Sequence, residues 1–496
     1  MNIFPWVWRV LLLLFGAGCA SAPPLAPLEI SGLPIPVAWG DSLVSDGAIE
    51  DGWWADFGVV ALDSLVVEAL QNNHDLAAAE ARIRGAAAHA RIAGADRLPR
   101  VGVGAGASRA QRNFIGLPDF GGPVAGLPGQ DAAPGVLSTT STTLGVSLDL
   151  TWELDLWGRV RSAVSGAWAD HQAMRADLWA ARESVAGQVS KAYFAVVEAA
   201  LQQELAAATV ENRREFSRRI EERYGRGLTP ALDVYSARSD LAAAKAVLQE
   251  HRIRGGAVRR QLELLLGRYP QGELEAVDGL PAPPLPPPAG LPADLIARRP
   301  DLVAAERRLA AARARHDEAR KNYYPRLSLT GSTGSSSEAL EGLADGDHLV
   351  WSFGATLSQP IYQGGAIRAG AEVAEAQWGQ AWTAFVQAAL VAYSDVEGAL
   401  EAEAFLRHQE VAIGEIAQAA QGARELAERR YHRGIGGGLR LLDSQRNECD
   451  ARSRWLDVRR RRLETRVNLY LALGGGFERA ALEGESVPLT RKRPPA

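Results

Sequence analysis

The chain has 496 residues, with 54 Lys and Arg against 59 Asp and Glu and a formal net charge of -5. Charge this nearly balanced gives no reason to expect a polyanion such as nucleic acid as a partner. Two cysteines, Cys19 and Cys449, leave no internal disulfide framework, and eight scattered histidines show no metal-ligand pair at helical spacing, so neither a metal nor a cofactor is expected.

At the N-terminus Arg9 precedes an apolar run from Val10 to Phe15, then Gly16-Ala17-Gly18 and Cys19. The run is too short to span a bilayer, and residues 1–18 read as a secretory signal. A cysteine directly after a small-residue cleavage region resembles a bacterial lipoprotein signal, with Cys19 as the lipid-bearing residue. The fit departs at Gly16, where that pattern usually has leucine, and an ordinary signal with an incidental cysteine is the other reading. Residues 19–60 then read as a tether.

A helical pattern follows from Leu62 to about Arg97, closed by Pro99. The period then changes to two. Val101, Val103, Ala105 and Ala107 alternate with glycine and serine over about 101–109, and Leu144, Val146, Leu148, Leu150 and Trp152 alternate with small or polar residues over about 142–153. From Gly158 to Arg223 there is no proline. A helix of about 65 residues would be about 100 Å long. Gly225-x-Gly227-Leu228-Thr229-Pro230 interrupts it, glycine ending one helix and proline starting the next, which makes a long antiparallel hairpin with its tip at about 225–230 and far from the strands.

The chain then repeats itself. LAAAEARIRGAAAHARIAGADRLPR, from Leu76, returns as LVAAERRLAAARARHDEARKNYYPR, from Leu302, and Tyr224-x-x-Gly227 returns as Tyr431-x-x-Gly434. The order is kept, and the first copy is longer in its middle. Residues 61–268 are therefore one repeat and 294–476 the second, with strands at about 326–334 and 349–359 and a tip at about 434–438. Residues 269–293, including PAPPLPPPAGLP, form a stiff linker across the outside, and 477–496 a tail. Two copies of so large a unit do not make a solenoid.

The strands suit a membrane: each apolar face is about nine residues long, near the 9–11 that a transmembrane strand needs. An open sheet edge has no partner in lipid, and a single-chain barrel needs at least about eight strands. Four per chain require several protomers to share one barrel. Soluble hairpins packed against helices are the alternative.

Several segments carry a family resemblance: GWWADFGVVALDSLVVEALQNNHDLAAAEARI from Gly52, LDLTWELDLWGRVR from Leu148, RRPDLVAAERRLAAARA from Arg298, LSQPIYQGGAIRA from Leu357 and VNLYLALGGGF from Val467. Together they resemble the outer-membrane factor (TolC-like) family, in its NodT-type efflux lipoprotein branch, in order from about Gly52 to Phe477. The resemblance implies a mainly α protein with a small β part. Each protomer would have two long helical hairpins and four transmembrane strands, and three would form a twelve-stranded β-barrel joined to an α-helical periplasmic barrel. It further implies passive conduction of drugs or toxic compounds, a periplasmic adaptor, and an inner-membrane pump, commonly of the resistance-nodulation-division class. No nucleic acid and no enzymatic activity are implied.

By the same resemblance Gly227, Leu228 and Thr229, with Gly434, Ile435 and Gly436, are the adaptor-docking tips; tight turns without a docking role are the other reading. Asp443 falls at the family's narrow periplasmic aperture, where three carboxylates facing one axis would repel and make a cation-attracting ring. Arg440 stands near a second family acidic position and departs from it, so an Arg440–Asp443 pair one turn apart would latch the aperture. A solvated helix face explains both residues equally simply. Trp152, Trp157, Tyr323, Tyr324 and Tyr362 suit an interfacial girdle or packing between strands and helices. Gly102-x-Gly104-x-Gly106 lacks the spacing and the following helix of a phosphate loop, and small residues facing into a barrel explain it better. The remaining alternatives are a channel for protein or peptide secretion and a periplasmic adaptor-like coiled-coil lipoprotein. The latter would show one hairpin and no such strands.

Overall fold

The computed structural model describes Trp39 and residues 49–114, 137–274, 279–288, 290, 292–433, 435 and 437–477. Cys19, Gly434 and Gly436 lie outside the described residues. Among the described residues seven principal helices and four strands follow in order: α1 (Val60–Asn72), α2 (His74–Ala95), β1 (Arg100–Phe114), β2 (Leu137–Leu154), α3 (Arg159–Gly225), α4 (Ala231–Leu265), α5 (Pro300–Lys321), β3 (Arg326–Ser337), β4 (Leu349–Ser358), α6 (Ala366–His432) and α7 (Gly438–Ala472). The repeat is visible element by element. α2 and α5 each have 22 residues, α3 and α6 each 67, α4 and α7 each 35. The extra length of the first copy lies in the β1–β2 hairpin, whose two strands and connection are all longer than those of β3 and β4.

The chain divides into two compact units. One holds the strands with the helix ends nearest them in sequence. Its sheet is antiparallel in the order β1-β2-β3-β4, each strand beside its sequence neighbour. Register puts Val103, Leu148, Thr333 and Trp351 in one row and Val101, Leu150, Gly331 and Phe353 in the next, on a common face. The opposite face carries Gly102, Asp149, Ser332 and Ser352, then Gly104, Ser147, Gly334 and Val350. β1 ends at Phe114 and not at 109, and β2 begins at Leu137 and not at 142. Alternating hydrophobicity marks only an apolar band, whereas ladder hydrogen bonds continue through Arg109, Gln111 and Asn113, paired with Thr142, Thr140 and Ser138. α3 starts where Asp155 accepts from the backbone N–H groups of Val160 (3.0 Å) and Arg161 (2.8 Å), satisfying two donors that helix geometry leaves open.

The second unit is helical. Its main core joins Leu62, Val66 and Ala69 of α1 to Val189, Phe194 and Val197 of α3, Leu262 of α4, and Leu463 and Val467 of α7. Burying each leucine contributes about 1.5–3 kcal/mol. A second cluster joins Leu295 and Leu302 to Ala389, Ala392 and Val396 of α6 and Leu469 of α7. Asn73 separates α1 from α2 by capping α2 through Oδ1, while its Nδ2 donates to the Leu265 carbonyl at 3.0 Å.

Described residues of the segments read as tether, linker and tail pack into the helical unit. Trp53 and Phe57 are buried within the span 19–60, and Trp39 donates from Nε1 to the Gly290 carbonyl at 2.9 Å. Leu280 and Pro287 of the proline-rich stretch are buried, and Phe477 packs with Ala176, Val303 and Ala304. Large apolar side chains have no favourable alternative to burial, so composition biased toward proline or small residues elsewhere in a segment does not free it.

Trp53 stacks on Tyr470 with ring centroids 5.1 Å apart, and its Nε1 donates to Glu183 Oε2 at 2.9 Å. The Tyr470 hydroxyl donates to Asp56 at 2.6 Å. Gly475, at φ +60°, passes over Glu183 so closely that a Cβ would overlap the carboxylate, and Gly474 and Gly476 are also left-handed. Burial pushes the Glu183 carboxyl up to about 8; Asp51 adds to the rise, and the Trp53 hydrogen bond and Arg182 oppose it. The folded protein therefore keeps a proton that the unfolded chain releases near 4.5. That stability contribution is complete below about 4.5, falls as pH rises, and is gone above about 8. Glu183→Gln should flatten this dependence and raise the melting temperature at pH 8 relative to wild type. Parallel melting curves for the two proteins between pH 5 and 8 would remove the assignment.

Candidate functional site

The two hairpin tips are built alike. α3 ends in a Schellman turn: Leu228 N–H donates to the Arg223 carbonyl (3.0 Å), Gly227 N–H donates to the Tyr224 carbonyl (2.8 Å), and Gly227 has φ +72°. Thr229 Oγ1 donates to Asp233 at 2.6 Å, bracing the first turn of α4. At the second tip Ile435 N–H donates to the Arg430 carbonyl at 3.1 Å, the same five-residue span. Leu228 and Ile435 thus hold equivalent positions, 64% and 74% exposed.

Exposed apolar side chains continue from each tip into the next helix. Leu232 and Tyr235 follow Leu228, and Leu439 follows Ile435. Within α4, Leu232 and Tyr235 stand three apart and share one face of the helix, while Leu228 and Ile435 lie in the turns before α4 and α7. Sequence reading stopped at the turns and missed these residues in the helices that follow. Phe216 and Ile220 of α3, Val234 and Ala237 of α4 and Leu442 of α7 form one cluster, so the two hairpins support each other near their tips.

Arg440 and Asp443 are both exposed on the first turns of α7, and they are not within ion-pair distance of each other. The expected latch within one protomer is therefore not formed. Arg213 of α3, by contrast, is buried and donates to the Leu442 carbonyl (3.4 Å) and Gln445 Oε1 (3.5 Å). Burial pulls the Arg213 guanidinium below its ordinary pKa, with Asp240 and Asp443 acting in the opposite sense. A buried guanidinium attracts countercharge from every helix packed on it, and sequence spacing along α7 alone does not reveal it.

Among the aromatic candidates, Trp152 is half-buried and donates to the Arg97 carbonyl at 3.1 Å. Trp157 stacks on Tyr324 at 5.5 Å and donates to the Pro325 carbonyl at 2.8 Å, joining the start of α3 to the segment before β3. Tyr323 and Tyr362 are exposed. Trp351 and Phe353 also stand exposed on the apolar face of the sheet. Among the described residues no group of three or more His, Cys, Asp or Glu is placed to hold a metal, and no helix is long and apolar enough to cross a membrane.

The exposed apolar sheet face and the unpaired edges of β1 and β4 call for further strands from other copies. Known proteins supply that context. The family model described as outer membrane efflux protein matches residues 65–268 and again 291–475, once per repeat. The chain is 32% identical to outer membrane protein OprJ of Pseudomonas aeruginosa over 98% of each chain. It is also 32% identical to the pyoverdine export outer membrane protein OpmQ of Pseudomonas putida, over 92% of this chain and 95% of that one. The solved outer-membrane channel OprN has the same fold, with a TM-score of 0.79 at 28% identity over 90% of this chain and 98% of that one. The chain belongs to the outer membrane efflux protein family: it is the channel component of an efflux system, a trimer whose twelve strands form one barrel in the outer membrane and whose helices extend into the periplasm toward an adaptor and an inner-membrane pump.

Proposed function

We propose that this channel passively conducts small molecules handed over by a proton-driven pump of the resistance-nodulation-division class, and that it performs no chemistry itself. The observation that carries this reading is the pair of matched tips, each presenting an apolar side chain whose N–H closes the same five-residue span onto the preceding helix. Six such tips in a trimer suit the apolar helical ends of an adaptor. Gly227, Leu228 and Thr229, with Gly434, Ile435 and Gly436, are the proposed contacts. Arg440 and Asp443, close beyond the second tip in sequence, are the proposed aperture residues. Trp152, Trp157, Tyr323, Tyr324 and Tyr362 form the proposed periplasmic-side girdle. Cys19 is the proposed lipid-bearing residue, to be read from the mass of the mature N-terminal peptide.

Drugs and other toxic compounds are the proposed cargo. The pyoverdine exporter and OprJ are equally identical to this chain, so similarity to the first does not select its cargo. The polar sheet face, lined mainly by glycine, serine and threonine, suits conduction without a dedicated binding site. Purified trimers in planar bilayers should pass current under voltage alone, and Arg440→Ala with Asp443→Ala should raise single-channel conductance. Trimers that pass no current with or without adaptor would defeat the channel reading. Unchanged conductance in the double variant would remove the aperture role.

A further inference from the structure

We propose that Asp149 is the charge-selecting residue of the barrel lumen, drawing cationic solutes and inorganic cations into the outer-membrane segment of the path. The proposal rests on the trimeric channel reading. Register assigns Asp149 to the face opposite Val101, Val103, Leu148, Leu150, Trp351 and Phe353. With that apolar face toward lipid, Asp149 faces the lumen.

Two carboxylates of the sheet lie on this face, and the structure distinguishes them. Glu153 is gripped by Arg159, whose Nη2 reaches both carboxylate oxygens at 3.0 Å and whose Nε reaches Oε1 at 3.1 Å. Among the described residues Asp149 meets only hydroxyls: Ser332 Oγ donates to Oδ1 and Ser147 Oγ to Oδ2, each at 2.7 Å. Serines orient a carboxylate without cancelling its charge. On the β1 side Asp149 is opposite Gly102, where even an added Cβ would meet nothing within 4 Å. The carboxylate is exposed and open toward the lumen.

The cations on the same face do not neutralise it. Arg100 is paired with Asp96, and Arg326 donates to Asn322. Arg326 is six residues along β3 from Ser332, about 20 Å away, and Arg112 is about 34 Å from Gly102 along β1. Both distances exceed the Debye length of about 8 Å at 0.15 M salt.

The trimer places three such carboxylates around one axis. Twelve strands about 4.8 Å apart and tilted by about 40° give a backbone radius of about 12 Å, which leaves the carboxylates about 9 Å from the axis. Coulomb attraction at that distance in water enriches a monovalent cation on the axis about fivefold at 10 mM salt and about twofold at 0.15 M. A trivalent cation gains about a hundredfold at 10 mM. Selection is therefore electrostatic, without tight binding, and weakens with salt.

The test uses full-length trimers in planar bilayers at low KCl, with lanthanum ion added from the extracellular side so that it meets the barrel before the periplasmic aperture. Wild type should be blocked, and its reversal potential in a KCl gradient should favour potassium. Asp149→Asn keeps the shape and should raise the half-blocking concentration at least tenfold, whereas Glu153→Gln should leave it within about twofold. Equal block of Asp149→Asn and wild type would overturn the proposal, assigning the effect to loop acids such as Glu341. Conducting trimers that show no block at all would overturn it too. Absence of current in wild type would remove the channel reading, and this inference with it.

Discussion

Leu228→Asp combined with Ile435→Asp should abolish adaptor capture and reduce efflux to the level of a strain lacking the channel, with trimers still assembled in the outer membrane. Each side chain is largely exposed in the free protomer and sits on a turn with its own hydrogen bonds, so the substitutions need not disturb the helices. An apolar side chain buried on docking contributes about 1.5–3 kcal/mol. Losing two such contacts per protomer weakens binding by about a hundredfold to ten-thousandfold even before three protomers act together. Leu232→Ala and Leu439→Ala, in the first turns of the helices that follow, should give intermediate losses. Adaptor affinity of purified trimers is the direct readout. Unchanged affinity would eliminate the docking role, and loss of trimers would reassign these residues to assembly.

Glu403→Ala should be the most destabilising of the single substitutions considered, because it strands a charge inside the helical unit. Arg466 of α7 is 1% exposed and its Nη2 donates to Glu403 Oε1 at 2.6 Å. Arg462 donates to the same oxygen at 3.1 Å and to Glu410 at 2.8 Å. Removing one partner of a buried ion pair costs about 3–5 kcal/mol, since the other charge remains desolvated. For a chain this long that is a fall on the order of 5 °C in melting temperature. Arg466 Nε and Nη1 and Glu403 Oε2 have no hydrogen-bond partner even in the intact network. Replacing the pair by apolar residues, Glu403→Leu with Arg466→Met, should therefore restore most of the loss. Thermal melts of the three proteins decide it: a Glu403→Ala protein as stable as wild type, or a double variant no better than the single, rules out the buried-charge account.

Much of the fold is legible in the chain because its signals are periodic. Alternation at Val101 and Val103, and again at Leu144, Val146, Leu148 and Leu150, marks strands. Long proline-free tracts mark the helices, and Gly227 with Pro230 marks the turn between two of them. The repeated segments at Leu76 and Leu302 reveal the duplication, which the paired lengths of α2 and α5, α3 and α6, and α4 and α7 make explicit. Strand ends were less legible. Beyond Ala107 the side chains turn polar while backbone pairing goes on to Phe114, and backbone hydrogen bonds leave no mark in side-chain hydrophobicity.

The site divides in the same way. Leu228 and Ile435 follow from local turn chemistry, since a turn that closes a helix end needs only a few consecutive residues to form. The expected Arg440–Asp443 pair also used local spacing, and there it failed: both side chains stay exposed at the start of α7 without meeting each other. Arg213, Glu183 and Glu403 carry no distinguishing pattern in their own neighbourhoods. Trp53 meets Glu183, and Glu403 meets Arg466, only after distant helices pack, and burial then changes what each charge costs.

By itself the sequence determined the duplication, the long proline-free hairpin helices and the two faces of each strand, though not the break at Asn73 within the first helical tract. All of these depend on residues close together in the chain or on a pattern repeated along it. Only the tertiary structure decided which charges are cancelled and which stay free. Asp149 and Glu153 lie four residues apart on the same face of β2, and nothing in that spacing separates them. Arg159 folds back to neutralise one, while register across β3 gives the other only the hydroxyl of Ser332. Charge pairing depends on distance in space and on the water excluded around it, and folding alone supplies both.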